Sequence, residues 1–150
     1  MDYEIDLCPA HSVIRLTVTA ETMTQELAEE IYRHLLEVTS EGGPYAAIFD
    51  LSATKNTTIP TDAVRSWGRR SPAVPMGRKQ VVVGTEPVIF GLARVFEMCA
   101  GATGSEFQVA HTVQEAYDIV GVHPEDFTEC LIWPCEWAAR SSVPPFCRRP

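Results

Sequence analysis

The chain of 150 residues has no long apolar run, no excess of basic charge and no Cys-x-x-Cys pair. Nowhere does it approach the roughly 20 consecutive apolar residues that a membrane-crossing helix needs. Its first residues, Met1-Asp2-Tyr3-Glu4-Ile5-Asp6, are acidic and strand-like, without the basic start and apolar run of a signal peptide. A cytoplasmic protein with no membrane span is therefore expected. With 12 Lys and Arg against 20 Asp and Glu, the formal net charge is −8. Such a chain has no basic footprint with which to neutralise phosphates, so nucleic acid is not an expected partner. The same acidity disfavours an anionic membrane surface. It suits ordinary solubility or a partner with a basic face.

Catalytic and metal signatures are scarce as well. Five cysteines make an odd number in a chain with no export signal, and reduced thiols are the expectation. Cys8 and Cys99 fall in apolar segments and read as small core residues. Cys130, Cys135 and Cys147, with His123, contain no Cys-x-x-Cys and match no common zinc finger, so neither metal nor cofactor is expected. His11, His34 and His111 are isolated in sequence, and no Ser-His-Asp or Cys-His set can be assembled from them. Gly84-Thr85-Glu86-Pro87 lacks the spacing and the Lys-Ser/Thr step of a P-loop. Nothing in this inventory demands catalysis, and a non-enzyme is expected.

What the chain does have is the composition of a globular domain, 45% apolar and 21% charged. Tyr3 to Leu7 and Ser12 to Thr19 alternate as strands, and their short connection predicts an antiparallel hairpin. Thr22-Met23-Thr24-Gln25 has capping-box form ahead of a helix whose Leu27, Ile31, Leu35 and Val38 make one buried stripe. Gly42-Gly43-Pro44 closes that helix. Tyr45 to Leu51 is a near-continuous apolar run, as for a strand covered on both faces. A polar loop from Ser52 to Ile59 leads to a short helix from about Pro60 to Ser71, with Trp67 facing the core. Gln80 to Val83 is a buried strand, and Thr85-Glu86-Pro87 opens a helix with Ile89, Leu92, Phe96 and Cys99 inward. Phe107 to Ala110 is the last strand, and Thr112 to Glu115 caps the last helix.

This β-β-α-β-α-β-α-β-α order predicts an α/β fold, a mixed, mostly parallel five-stranded sheet with helices packed on it. Residues 1–122 form the domain. Residues 123–150 read as a tail, rich in proline, aromatic and cysteine residues, wrapped over the domain or a partner. Trp133, Trp137 and Phe146 in that tail make self-association an option.

Element order and three local passages resemble the SpoIIAA-like branch of the STAS superfamily, also described as STAS/SEC14-type. The passages are Val13-Ile14-Arg15-Leu16-Thr17-Val18 through Thr22 and Thr24, then Ala47-Ile48-Phe49-Asp50-Leu51-Ser52, then the last strand and helix with Gln114-Glu115-Ala116. The resemblance covers residues 3–121. It implies a non-catalytic regulatory or protein-interaction module, with some SEC14-type relatives holding lipophilic ligands. In anti-sigma-factor antagonists of the superfamily a phosphorylatable serine sits in an Asp-Ser-Ser-Gly string. Here that region reads Thr57-Thr58-Ile59-Pro60-Thr61-Asp62-Ala63, and the Ser-Ser-Gly step is missing.

In open α/β sheets ligands collect beyond the carboxyl ends of the parallel strands. That rule nominates Asp50 and Ser52, loop residues Lys55, Asn56, Thr57 and Thr58, and Gly84 with Thr85. A partner or a phosphate near a helix N-terminus is one use of such a rim. The commoner use of Asp and Ser there is to satisfy the loop's own backbone. Arg65, Arg69, Arg70, Arg78 and Lys79 gather basic charge in an acidic chain. They offer a landing for an acidic partner or anionic head group, or else a solvated cluster paired with nearby carboxylates. Two functions follow: contact with a protein partner or a second copy through this surface, or binding of a small lipophilic or anionic ligand between sheet and helices.

Overall fold

The computed structural model describes residues 2–8, 10–39, 45–69, 79–101 and 106–129. Strands β1 (Tyr3–Cys8) and β2 (Val13–Val18) pair antiparallel from Tyr3↔Val18 to Cys8↔Val13, the hairpin expected from their short connection. Strand β3 (Thr22–Met23) leads to helix α1 (Gln25–Thr39), whose buried stripe is Leu27, Ile31, Leu35 and Val38. Its first turn is capped by Thr24, whose hydroxyl accepts the Leu27 N–H at 3.1 Å. Thr22, expected to open a capping box, lies in β3 instead.

Strand β4 (Ala46–Asp50) is followed by β5 (Asn56–Thr57) and helix α2 (Thr61–Arg69). Strand β6 (Gln80–Val83), helix α3 (Pro87–Gly101), strand β7 (Phe107–Ala110) and helix α4 (Val113–Val120) follow. Thr112 caps α4 by accepting the Glu115 N–H at 3.2 Å, and Gly121, at φ +83°, ends it in the left-handed conformation that favours glycine. A 3-10 turn at Pro124–Asp126 and strand β8 (Thr128–Glu129) come last.

The main sheet is mixed, in the order β7-β6-β4-β2-β1-β8. Its interior is parallel, β2 to β4 to β6 to β7, so Tyr45 to Leu51 does supply a central strand with Asp50 at its carboxyl end. The α/β class, the mixed sheet and the four helices agree with expectation. Three short strands go beyond it. β3 and β5 form a separate parallel pair, and β8 adds an edge to β1 through Asp6↔Glu129 and Leu7↔Thr128. Residues 123–129 thus lie against the sheet. The remainder of the tail, with Cys130, Cys135, Cys147, Trp133, Trp137 and Phe146, lies outside the described residues, as do Gly42 to Pro44, Arg70 and Arg78.

Alternation divides the sheet into two faces. Tyr3, Ile5, Leu7, Ile14, Leu16, Val18 and Ala47 pack with α1 in one core. Cys8, Val13, Ala46, Ile48, Val81, Val83 and Ala110 pack with Ala116 and Tyr117 of α4 in the other. On the first face α2 and α3 meet closely at Gly68, where an added Cβ would come within 2.7 Å of Cys99 Cβ.

Candidate functional site

Between the first face of the sheet and helices α1, α2 and α3 lies a cavity of about 240 Å³. Its walls are almost wholly apolar. Val82 and Phe49 rise from the sheet, Ala28 and Ile31 from α1, Val64 and Trp67 from α2, and Leu92, Ala93 and Phe96 from α3. Trp67 is half-buried on this wall, as its core-facing reading requires. Among the described residues, no Asp, Glu, Lys or Arg lines the space.

One lining residue stands apart chemically. Gln80 opens β6 in register with Ala47 and Phe107, near the amino ends of the parallel strands. It is only 6% exposed, and its amide Nε2 is a buried side-chain donor with no hydrogen-bond partner among the described residues. Such a donor costs about 1–3 kcal/mol when left unmet. A ligand atom able to accept it would recover that energy. The sequence carries only a faint signal for this residue, a lone polar side chain opening an apolar strand.

The rim at the carboxyl ends of the strands is organised differently. Asp50 Oδ1 accepts the Ser52 N–H at 2.9 Å, and the Thr85 hydroxyl donates to the Ser52 carbonyl at 3.2 Å. The structure therefore brings Asp50, Ser52 and Thr85 together, and it uses them to tie the loop after β4 to the loop after β6. Thr85 is not the cap of α3, which starts two residues later at Pro87 with the Phe90 N–H donating to the Glu86 carbonyl. Thr57 donates to the Met23 carbonyl at 3.0 Å and accepts the Ile59 N–H at 3.0 Å, while its side chain also borders the cavity. Thr58 sends its N–H to Met23. Thr54, which the sequence reading did not single out, is fully buried and donates to the Ala20 carbonyl at 3.0 Å. These side chains hold the loop's own backbone.

Arg65 and Arg69 are exposed on α2, and Arg65 pairs with Asp62 one turn earlier at 3.0 Å. Pairs of this kind contribute little to stability, at most about 1 kcal/mol.

On the second face of the sheet, Arg15 donates to Asp6 at 2.7 Å and 3.0 Å and to the Tyr117 hydroxyl at 2.9 Å. Its guanidinium lies 4.4 Å from the centre of the Phe127 ring. Burial alone would lower the Arg15 pKa, but the hydrogen bonds and charge of Asp6 and Tyr117 outweigh it and hold the group above its ordinary value. This network locks the second face and locates residues 123–129 on it.

The histidines are less isolated than their spacing suggested. His34 is hydrogen-bonded to the Tyr3 hydroxyl, and His111 stacks on Phe90 with ring centres 4.1 Å apart. No described helix is long and apolar enough to cross a membrane. Compared with protein-family models, with curated proteins and with solved structures, the chain matches none of them.

Proposed function

We propose that this chain is a non-catalytic, STAS-like cytoplasmic module that holds a small, neutral, largely apolar molecule between its sheet and helices α1 to α3. The observation that carries the reading is an apolar cavity containing a buried, unpartnered amide donor. Its size falls just short of the usual range for ligand pockets, about 300–1,000 Å³. Scaling from a cavity of about 150 Å³ that takes up benzene, the occupant has on the order of ten non-hydrogen atoms. An ionised head group would be stripped of water with no countercharge among the described lining side chains, so a ketone, alcohol or similar neutral acceptor suits Gln80 better than a carboxylate. The SEC14-type side of the family resemblance agrees with this occupant.

Native mass spectrometry of the purified full chain, with a panel of medium-chain alcohols and ketones and their matching carboxylic acids, tests the proposal. Retention of a neutral member, reduced by Ala93→Leu, is expected. Failure to retain any member, or equal retention by Ala93→Leu, would remove the cavity as a binding site.

A second reading, contact with a protein partner or second copy through the Asp50–Thr58 loop and α2, keeps one specific support. Ser52, Lys55, Asn56, Thr58, Arg65 and Arg69 all stay exposed on neighbouring segments. Charge reversal at Arg65 and Arg69 should abolish an association seen with the intact chain by pull-down or light scattering. An association indifferent to both changes would rule that surface out.

A further inference from the structure

Beyond the cavity, the structure brings a metal-ligating carboxylate from late in the chain to a cysteine and a histidine of the first hairpin. Cys8 ends β1, on the strand face opposite the one that presents Ile5 and Leu7 to α1. The β1–β2 turn returns His11 beside it, and the His11 N–H donates to the Cys8 carbonyl at 3.3 Å. Asp126 arrives from the far end of the fold, in the 3-10 turn that precedes β8. The Cys8 thiol, a His11 ring nitrogen and an Asp126 carboxylate oxygen all lie within 4.8 Å of one another.

We propose that Cys8, His11 and Asp126 form a zinc-type divalent metal site. The donor set decides the class of ion. A thiolate and an imidazole favour Zn²⁺ and its close relatives, whereas Mg²⁺ and Ca²⁺ select oxygen donors. Bonds of about 2.3 Å to sulfur and about 2.0–2.2 Å to nitrogen and oxygen place tetrahedral ligands within about 4 Å of one another. Donors already within 4.8 Å need only a small side-chain adjustment to reach that geometry. Charge also balances, because a thiolate and a carboxylate together neutralise a divalent cation. Binding releases the thiol proton to solvent, and no oxidation or reduction is involved.

The surroundings hold the ligands in place. Asp126 accepts the His123 N–H at 2.9 Å through Oδ2, an orienting contact of the kind that outer-shell donors make to ligating carboxylates. Phe127, the next residue, sits against the Arg15 guanidinium and Tyr117, and β8 then pairs with β1 beside Cys8. Cys8 is 1% exposed while His11 is exposed, so the site is closed on the core side and entered from the turn. Three protein ligands leave a fourth tetrahedral position for water or another donor. The absence of any Cys-x-x-Cys argued against a metal in the sequence, and that argument is blind to a trio whose third member lies more than a hundred residues away.

The test is Co²⁺ and Zn²⁺ titration of the full chain in which Cys99, Cys130, Cys135 and Cys147 are replaced by serine, leaving Cys8 as the sole thiol. Thiolate-to-cobalt charge-transfer absorption, displaced by Zn²⁺, is the expected result. His11→Ala and Asp126→Asn should each weaken binding by at least about tenfold, a loss that even outer-shell partners produce. Compared with its own metal-free form, the His11→Ala chain should lose the rise in melting temperature that Zn²⁺ brings. Absence of the absorption in the Cys8-only chain would overturn the site. So would unchanged affinity in the His11 and Asp126 variants.

Discussion

The two faces of the sheet in this protein solve the same packing problem in different ways. On the face covered by α1, α2 and α3, three helices span the strands without filling the space between them, and a cavity remains. On the other face one helix, α4, and the turn after it cover Ile48, Val81 and Val83, and the polar groups there are paired through Arg15, Asp6 and Tyr117. The first face leaves a buried donor unmet at Gln80. The second spends its polar groups on one another. Close packing and satisfied hydrogen bonds favour a fixed structure, and a void with an unmet donor lacks both.

Truncation gives the largest expected difference between the faces. Ile48→Ala, at a fully buried position on the closed face, should cost about 3 kcal/mol by urea denaturation. Leu92→Ala, half-buried on the cavity wall, should cost only about 1 kcal/mol, because fewer of its atoms leave a packed environment. Equal costs would mean that the cavity wall is as well packed as the rest.

Asp6→Asn sharpens the account of the closed face. Removing the carboxylate leaves the Arg15 charge without its partner, and a loss of about 2 kcal/mol is expected. That is below the roughly 3–5 kcal/mol for fully buried pairs, since the Arg15 side chain keeps 21% exposure. A change under about 0.5 kcal/mol would show that Tyr117 and Phe127 alone hold the arginine.

Overpacking reverses the comparison. Ala116→Leu, where α4 meets the sheet with no exposure, should cost about 1–3 kcal/mol, while Ala93→Leu should be tolerated within about 1 kcal/mol because the cavity accepts the added carbons. A small effect of opposite sign is expected at Gln80. Gln80→Met removes the unmet donor and should stabilise the unliganded chain by about 1 kcal/mol in the same assay. Destabilisation would show that the amide is satisfied in solution, and the cavity would lose its polar anchor.

Much of the architecture was legible because local patterns and tertiary needs agree. Leu27, Ile31, Leu35 and Val38 announce a helix stripe, and the same four residues are buried. Misreadings occurred where a local signal was ambiguous. Thr22 and Thr24 are equally good caps by type, and the pairing of Thr22–Met23 with Asn56–Thr57 decided between them. Two-residue strands joined across such a separation carry no periodicity to read. Asp50 ends β4 at the carboxyl edge of the sheet, and its hydrogen bond turns inward to the loop, as the commoner use of Asp and Ser suggested.

A ligand between sheet and helices was an expectation, but the lining of the cavity and the Cys8–His11–Asp126 cluster were not legible, for a common reason. A void is what three separately encoded helices fail to fill, and a ligand set is what separate segments bring within reach.

By itself the sequence determined the elements, their alternation into a mixed sheet and the acidic character of the chain, since period, composition and cap chemistry act over a few residues. Only the tertiary structure decided that Gln80 is an orphan, that Arg15 is triply held, and that a cysteine near the start lies beside an aspartate near residue 126. Distances between remote side chains follow from how helices and strands stack, and no local pattern records that.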